Sequence, residues 1–248
     1  MQAGAASLRT ILSKLKLSER LYCIASNVKS GGIVADIGCD HAFTSIYLVG
    51  KKLAKGAVAM DINEEPLKRA KEHISGCGMD GRIVTRLSDG AKELGRGEAD
   101  TILISGMGGA LVVKILSESI DIIKGTKELV LSPQSEIYLV RHFLHDNGFK
   151  IVNEDMVKEQ GKFYVVIRAV PGIQHFADKT GYIYGEFLIN NKNQVLKEYL
   201  VKEHKRTGAV LRKLSGENSS KNTAAVLRSA VLKEEHDTIE KLIKKISL

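Results

Sequence analysis

Ile33-Val-Ala-Asp-Ile-Gly-Cys-Asp-His-Ala42 is the stretch that decides the fold. An apolar run carries one acid, Asp36, and stops at Gly38, where a backbone free to adopt positive φ can turn sharply. Gly56–Asp61, Arg82–Leu87, Asp100–Gly106 and Glu128–Pro133 are built alike, each ending near an acidic or glycine turn. Between these runs, Glu64–Cys77, Leu111–Ile123 and Ser135–Asn147 are long enough for crossover helices. Strands alternating with such helices predict an α/β fold whose parallel sheet is covered on both faces. Two last apolar runs, Lys150–Val157 and Phe163–Val170, are separated by Glu159-Gln-Gly-Lys162, which leaves no room for a helix. They predict an antiparallel hairpin at one sheet edge. The expected sheet is therefore five parallel strands plus a terminal antiparallel hairpin.

After Val170 the pattern changes. Tyr184, Phe187, Leu188, Val195, Tyr199, Leu200, Val210, Leu211 and Leu214 recur at helical spacing from about Gly181. A turn-rich Ser215–Ser220 follows, then a second helical pattern from Ala225 to Ile243. Two helices joined by a short polar loop predict an antiparallel coiled-coil hairpin, so residues 1–170 and 171–248 are expected as separate domains. The apolar seam suits packing on its own domain as well as pairing of two copies, which leaves the oligomeric state open. The chain's formal net charge of +8 divides unevenly: residues 172–248 hold 14 Lys and Arg against 9 Asp and Glu, a net of +5, and residues 1–171 a net of +3. A basic helical pair is either a solvated face or an arm that grips a polyanion such as RNA.

Composition excludes other classes. No stretch approaches the roughly 18 consecutive apolar residues of a membrane span. The N-terminus lacks the basic-then-apolar order of a signal peptide, and its first 16 residues read as a variable extension. Cys23, Cys39 and Cys77 are odd in number and widely spaced, which argues against a disulfide framework and a zinc site. His73, His142, His145, His175, His204 and His236 show no metal-ligand spacing either, so no metal is expected and a cytoplasmic location is the default.

Ligands of open α/β sheets bind at the carboxyl ends of the strands. At the first end, Asp40 stands where a dinucleotide fingerprint has its second glycine. Asp36 and Asp40 would repel a pyrophosphate but suit the ammonium and sulfonium of S-adenosylmethionine. Cys39 and His41 complete this turn; His41 reads as a general base or, more simply, as a hydrogen-bonding or capping residue. Asp61, 25 residues after Asp36, is spaced to accept bonds from ribose hydroxyls, with Ile62 and Asn63 beside it. The alternative is a cap for the following helix, a role Asn63 fills equally well. In Ser88-Asp89-Gly90, Asp89 either accepts a bond from an adenine amine or makes an ordinary turn. Ser105-Gly106-Met107-Gly108-Gly109 leaves little side-chain bulk, so that a flat base can approach, unless the glycines only pack a turn. Ser132 and Gln134 at the fifth end are candidates to bond a base edge.

Five parallel strands with a terminal hairpin are the strand pattern of class I methyltransferases. Asp36-Ile-Gly-Cys-Asp-His41, Ser105-Gly-Met-Gly-Gly109 and Glu159-Gln-Gly-Lys-Phe-Tyr164 together resemble the bacterial TrmK family over residues 17–170. The resemblance implies methylation of N1 of adenine 22 in tRNA with S-adenosylmethionine. It implies that Asp36, Gly38, Asp61 and Asp89 line the cofactor site and that Asp40, as the catalytic residue, faces the base. Cys39, His41, Ile62, Asn63, Ser88, Gly90, Ser105, Gly106 and Met107 are expected beside the cofactor, and Gly108, Gly109, Ser132 and Gln134 beside the substrate. Other readings are methylation of another RNA or a small molecule, and a non-catalytic RNA-binding scaffold.

Overall fold

Apolar runs buried on both faces can lie only in the middle of a covered sheet. β1 (Ile33–Ile37), β2 (Gly56–Asp61), β4 (Thr101–Ser105) and β5 (Glu128–Ser132) are almost wholly buried, whereas β3 (Ile83–Leu87) is half exposed and lies at an edge. The structure, a computed structural model, describes residues 16–216 and 223–247. Its seven strands take the order β3-β2-β1-β4-β5-β7-β6. The first five are parallel, and β7 (Lys162–Pro171) runs antiparallel to both β5 and β6 (Phe149–Glu159). β1 pairs with β2 on one side and with β4 on the other, Val34 lying opposite both Ala57 and Thr101. Strand order thus reverses beside β1, and the connections leaving β1 and β4 open a crevice at their carboxyl ends.

The helices of the sheet unit are α1 (Glu19–Ser26), which precedes β1, and α2 (Phe43–Gly50), α3 (Glu64–Gly76), α4 (Gly109–Glu118), α5 (Ile120–Ile123) and α6 (Ile137–Asp146) between the strands. The single helix expected over Leu111–Ile123 is broken at Ser119, a buried residue outside helical geometry (φ −123°, ψ 28°). Ser18 caps α1 by accepting the Leu21 N–H. At the amino ends of the central strands, the buried Glu128 carboxylate accepts the N–H groups of Lys29 and Ser30, the Thr101 hydroxyl and Arg168 Nε. One acid thereby ties the approach to β1 to β4, β5 and β7.

The described chain divides into two compact units at Ile183/Tyr184, not at residue 170 as the sequence suggested. The segment after β7 stays with the sheet because polar groups hold it there. Fully buried Arg141 of α6 pairs with Glu154 of β6 at 2.7 Å and donates from Nη1 to the carbonyls of Tyr182 and Ile183. The Tyr182 ring stacks on His142 with centroids 3.9 Å apart, and its hydroxyl lies 3.0 Å from His145 Nδ1.

The second unit contains α7 (Glu186–Asn190), α8 (Gln194–Gly216) and α9 (Thr223–Ser247). A continuous first helix was expected from Gly181, but Lys192 turns at φ +50° and Asn193 Oδ1 accepts the N–H groups of Val195 and Leu196 to start α8 anew. Leu196, Leu200, Ile239, Leu242 and Ile246 bury the seam between α8 and α9, across which the Thr207 hydroxyl meets His236 Nδ1 at 2.7 Å. α8 runs through Ser215 and Gly216; the rest of the expected turn, like the leading extension up to residue 15, lies outside the described residues.

Candidate active site

Asp36 is the penultimate residue of β1, and the sheet carries its carboxylate into the interior, where Ser45 Oγ of α2 donates to it at 2.7 Å. Burial pushes its pKa up to about 6, against the downward pull of the Ser45 bond. A buried acid held near its ionised form without a matching cation is a functional-site signature. Past Asp36 the chain folds over β2, the N–H groups of Gly38 and Cys39 both reaching the Met60 carbonyl. Gly38 takes φ +74°, a backbone that favours glycine, and a Cβ there would in addition displace the movable end of Met107.

Asp40 and Ala42 hold left-handed backbones at φ 48° and 57°. Residues other than glycine in that region carry strain that collects at ligand sites. The turn aims the Asp40 carboxylate outward; it is 65% exposed, 3.4 Å from Arg69 Nη2 of α3 and 3.6 Å from His41 Nε2. His41 does not cap: Ala42 occupies the cap position of α2 and has no side chain to do so. The His41 ring instead stacks on Phe43 at 5.3 Å, and its carbonyl lies 3.2 Å from His73 Nδ1.

At the end of β2, Asp61 Oδ1 accepts the Asn63 N–H at 3.0 Å, and Asn63, although at the cap position of α3, makes no capping bond with its side chain. Asp61 is therefore not a helix cap. Ile62 is a largely exposed apolar rim. Ser88 donates its N–H to the Asp61 carbonyl and its hydroxyl to the Gly90 carbonyl. Asp89 is bonded to Lys92, which holds its carboxyl below the usual range and also meets Glu118 at 3.0 Å.

These groups surround one cleft of about 530 Å³, a size typical of small-molecule sites. Asp36, Gly38, Cys39, Asp40, His41, Asp61, Ile62, Asn63, Ser88, Asp89, Gly90, Ser105, Gly106, Met107 and Gln134 line it. Gly108, Gly109 and Ser132 do not. Gly109 is a packing glycine, since a Cβ would fall 2.5 Å from the backbone oxygens of Ser135 and Glu136; Gly108 abuts Ser135 Oγ, and Ser132 is buried within β5. The cleft also takes in Arg20, Leu21, Ile37, Phe43, Thr44, Leu111 and Ile115. The i, i+4 pair Leu111 and Ile115, just after the glycines, was a readable signal; Arg20 carried none. Four carboxylates around a mostly apolar cavity fit a cationic ligand with a diol, and these acceptors match S-adenosylmethionine. Among the described residues no three His, Cys, Asp or Glu side chains are grouped to hold a metal, and no helix is long and apolar enough to cross a membrane.

Comparison with known proteins agrees with this chemistry. The family described as "Methyltransferase domain" matches residues 17–167. The tRNA (adenine(22)-N(1))-methyltransferase of Bacillus subtilis is 34% identical over 209 residues, covering 82% of this chain and 88% of that one. The crystal structure of the B. subtilis m1A22 tRNA methyltransferase TrmK superposes with a TM-score of 0.83 at 30% identity, over 92% of this chain and 99% of the other. The chain belongs to the TrmK family. Another TrmK-like structure, Streptococcus pneumoniae Sp1610 in complex with S-adenosyl-L-methionine, has a TM-score of 0.82 at 28% identity and covers 92% and 100% of the two chains.

Because the folded-state pKa of Asp36 lies above its unfolded value, the fold favours the protonated acid, and stability falls as pH rises through the window from about 4 to 6. Above that window the buried charge costs about 3 kcal/mol. Asp36→Asn is expected to raise the unfolding free energy of the ligand-free protein by up to that amount at pH 7–8, with the gain vanishing near pH 4. Urea denaturation across this range checks it; an unchanged midpoint at pH 8 would mean that the charge is already compensated.

Proposed function

We propose that this TrmK-family chain transfers the methyl group of S-adenosylmethionine to N1 of adenine 22 in tRNA. The observation that carries this reading is the acidic cleft at the β1–β4 switch point: a buried Asp36, Asp61 and Asp89 at successive strand ends, and Asp40 held outward at the rim. When bound, the cofactor supplies an electrophilic methyl group on a sulfonium. Asp36 faces the cationic end of that ligand, Asp61 accepts from its ribose hydroxyls, and Asp89 accepts from its adenine amine. Gly106 and Met107 keep the acceptor side free of polar bulk, and Gln134 offers an amide to the edge of the target base.

Adenine N1 is unprotonated at neutral pH, so the reaction needs no general base. It creates positive charge on the base instead, and a carboxylate fixed beside it lowers the barrier where water is excluded. Asp40 supplies that carboxylate, steered by Arg69 and His41. The helical unit supplies phosphate contacts: Lys205, Lys213, Lys233, Lys241 and Lys245 are exposed along α8 and α9. RNA recognition then rests on backbone and shape rather than on base edges of a duplex. A tRNA substrate also accords with a cytoplasmic location.

Incubation with unmodified tRNA should place the methyl on N1 of A22, read by mass spectrometry of nuclease fragments. Asp40→Ala should bind S-adenosylhomocysteine within a few-fold of wild type while kcat drops roughly 10²- to 10³-fold; normal turnover would reject the role of Asp40. Lys205→Glu with Lys213→Glu should weaken tRNA binding and flatten its dependence on salt, leaving cofactor affinity unchanged. A salt slope equal to that of wild type would move the phosphate contacts off this face.

A further inference from the structure

Arg69, on the second turn of α3, meets the carboxylate whose charge the proposed reaction uses. Its Nη2 lies 3.4 Å from Asp40 Oδ1, with the two side chains 43% and 65% exposed. Nε, on the same edge of the guanidinium, is buried and has no hydrogen-bond partner. The pairing therefore serves the arginine poorly: it makes one long bond with an edge shaped to hold two oxygens of a carboxylate or a phosphate. An exposed ion pair of this kind adds little stability, so exchanging it costs little.

In the free protein this contact steers Asp40, but it also works against the chemistry. A carboxylate stabilises a base that becomes cationic only while its own charge is available, and a guanidinium 3.4 Å away offsets that charge. Arg69 has to leave Asp40 for Asp40 to act, and leaving calls for another anion. Asp40 and His41 line the cleft whereas Arg69 does not, so the guanidinium stands outside the cofactor's chamber and the cofactor's carboxylate is not that anion. What an RNA substrate brings to the rim is the phosphodiester backbone on either side of the base that enters. Once Arg69 swings off Asp40, one phosphate can accept from Nε and Nη2 together, which satisfies the donor that Asp40 leaves unpaired. His41 Nε2, 3.6 Å from Asp40 Oδ2, stays behind to hold the direction of the carboxylate. Resting on the tRNA methyltransferase reading above, we infer that Arg69 is the subsite for a phosphate flanking the target adenosine, and that its transfer from Asp40 to that phosphate frees the carboxylate for the base. The carboxylate is thereby muted until the RNA backbone is engaged.

The probe is a tRNA whose two phosphodiesters flanking A22 are neutral methylphosphonates, beside a tRNA identical but for these linkages, with binding measured in the presence of S-adenosylhomocysteine. Wild type should bind the neutral form roughly 10-fold more weakly. Arg69→Ala should bind both at the weaker level, with a salt slope smaller by about one, and Arg69→Lys should recover part of the difference. Equal binding of the two tRNAs by wild type, or equal discrimination by wild type and Arg69→Ala, would overturn the subsite while leaving methylation of A22 intact. A loss confined to kcat in Arg69→Ala, with the two tRNAs still distinguished, would make Arg69 only a steering group for Asp40 and also overturn it. Weaker S-adenosylhomocysteine binding by Arg69→Ala would assign the guanidinium to the cofactor and overturn it as well. Failure of wild type to methylate A22 of unmodified tRNA would remove the methyltransferase reading and the subsite together.

Discussion

Everything around the cleft follows from burying one carboxylate, Asp36, at the end of the central strand. β1 sits between β2 and β4 in a sheet covered on both faces, so the Asp36 side chain is almost wholly buried although it borders the cleft. Ser45 offsets part of the penalty, and an acid left half-willing to ionise near neutrality is a standing source of instability. Such strain is tolerated where a ligand relieves it. The left-handed turn through Asp40 and Ala42 is a second expense at the same place, and the glycine that starts it has Met107 where a side chain would go. Charge, backbone strain and glycine requirement converge on about seven residues that neighbour the strand reversal.

Much of this was legible in the sequence because acids and glycines punctuate strand ends. Asp36, Asp61 and Asp89 each close an apolar run, and the crossover lengths fix which ends lie side by side. What stayed illegible depends on contacts over distance. Gly106 and Gly109 look alike as letters, yet Gly106 borders the cleft at φ +83° and Gly109 abuts two carbonyl oxygens of the loop before α6. Helical periodicity ran through Asn191-Lys192-Asn193 because it registers apolar spacing and not the side-chain cap by which Asn193 restarts a helix. The unit boundary moved to Ile183 because Arg141 reaches carbonyls far along the chain. α1 and α2 are eight residues each, too short for a periodic signal, and Arg20 lies on one of them.

The two units differ in charge. The sheet unit gathers carboxylates at its strand ends, where a cationic ligand and a base that becomes cationic both gain. The helical unit carries the larger surplus of Lys and Arg on exposed helix faces, the place proposed above for phosphate contacts. Asp40 stands between these demands: it is exposed enough to meet a base, and it keeps Arg69 and His41 close enough to fix its direction.

A cofactor seated in this cleft brings its cation to Asp36. Calorimetric titration of S-adenosylmethionine into the free protein at pH 6, in two buffers of different ionisation enthalpy, counts the protons exchanged on binding. With Asp36 near half-protonated there, binding should expel about half a proton in wild type and none in Asp36→Asn at the same pH. Heats at pH 6 that are independent of the buffer would show Asp36 already fully ionised or untouched by the ligand, and would contradict the account.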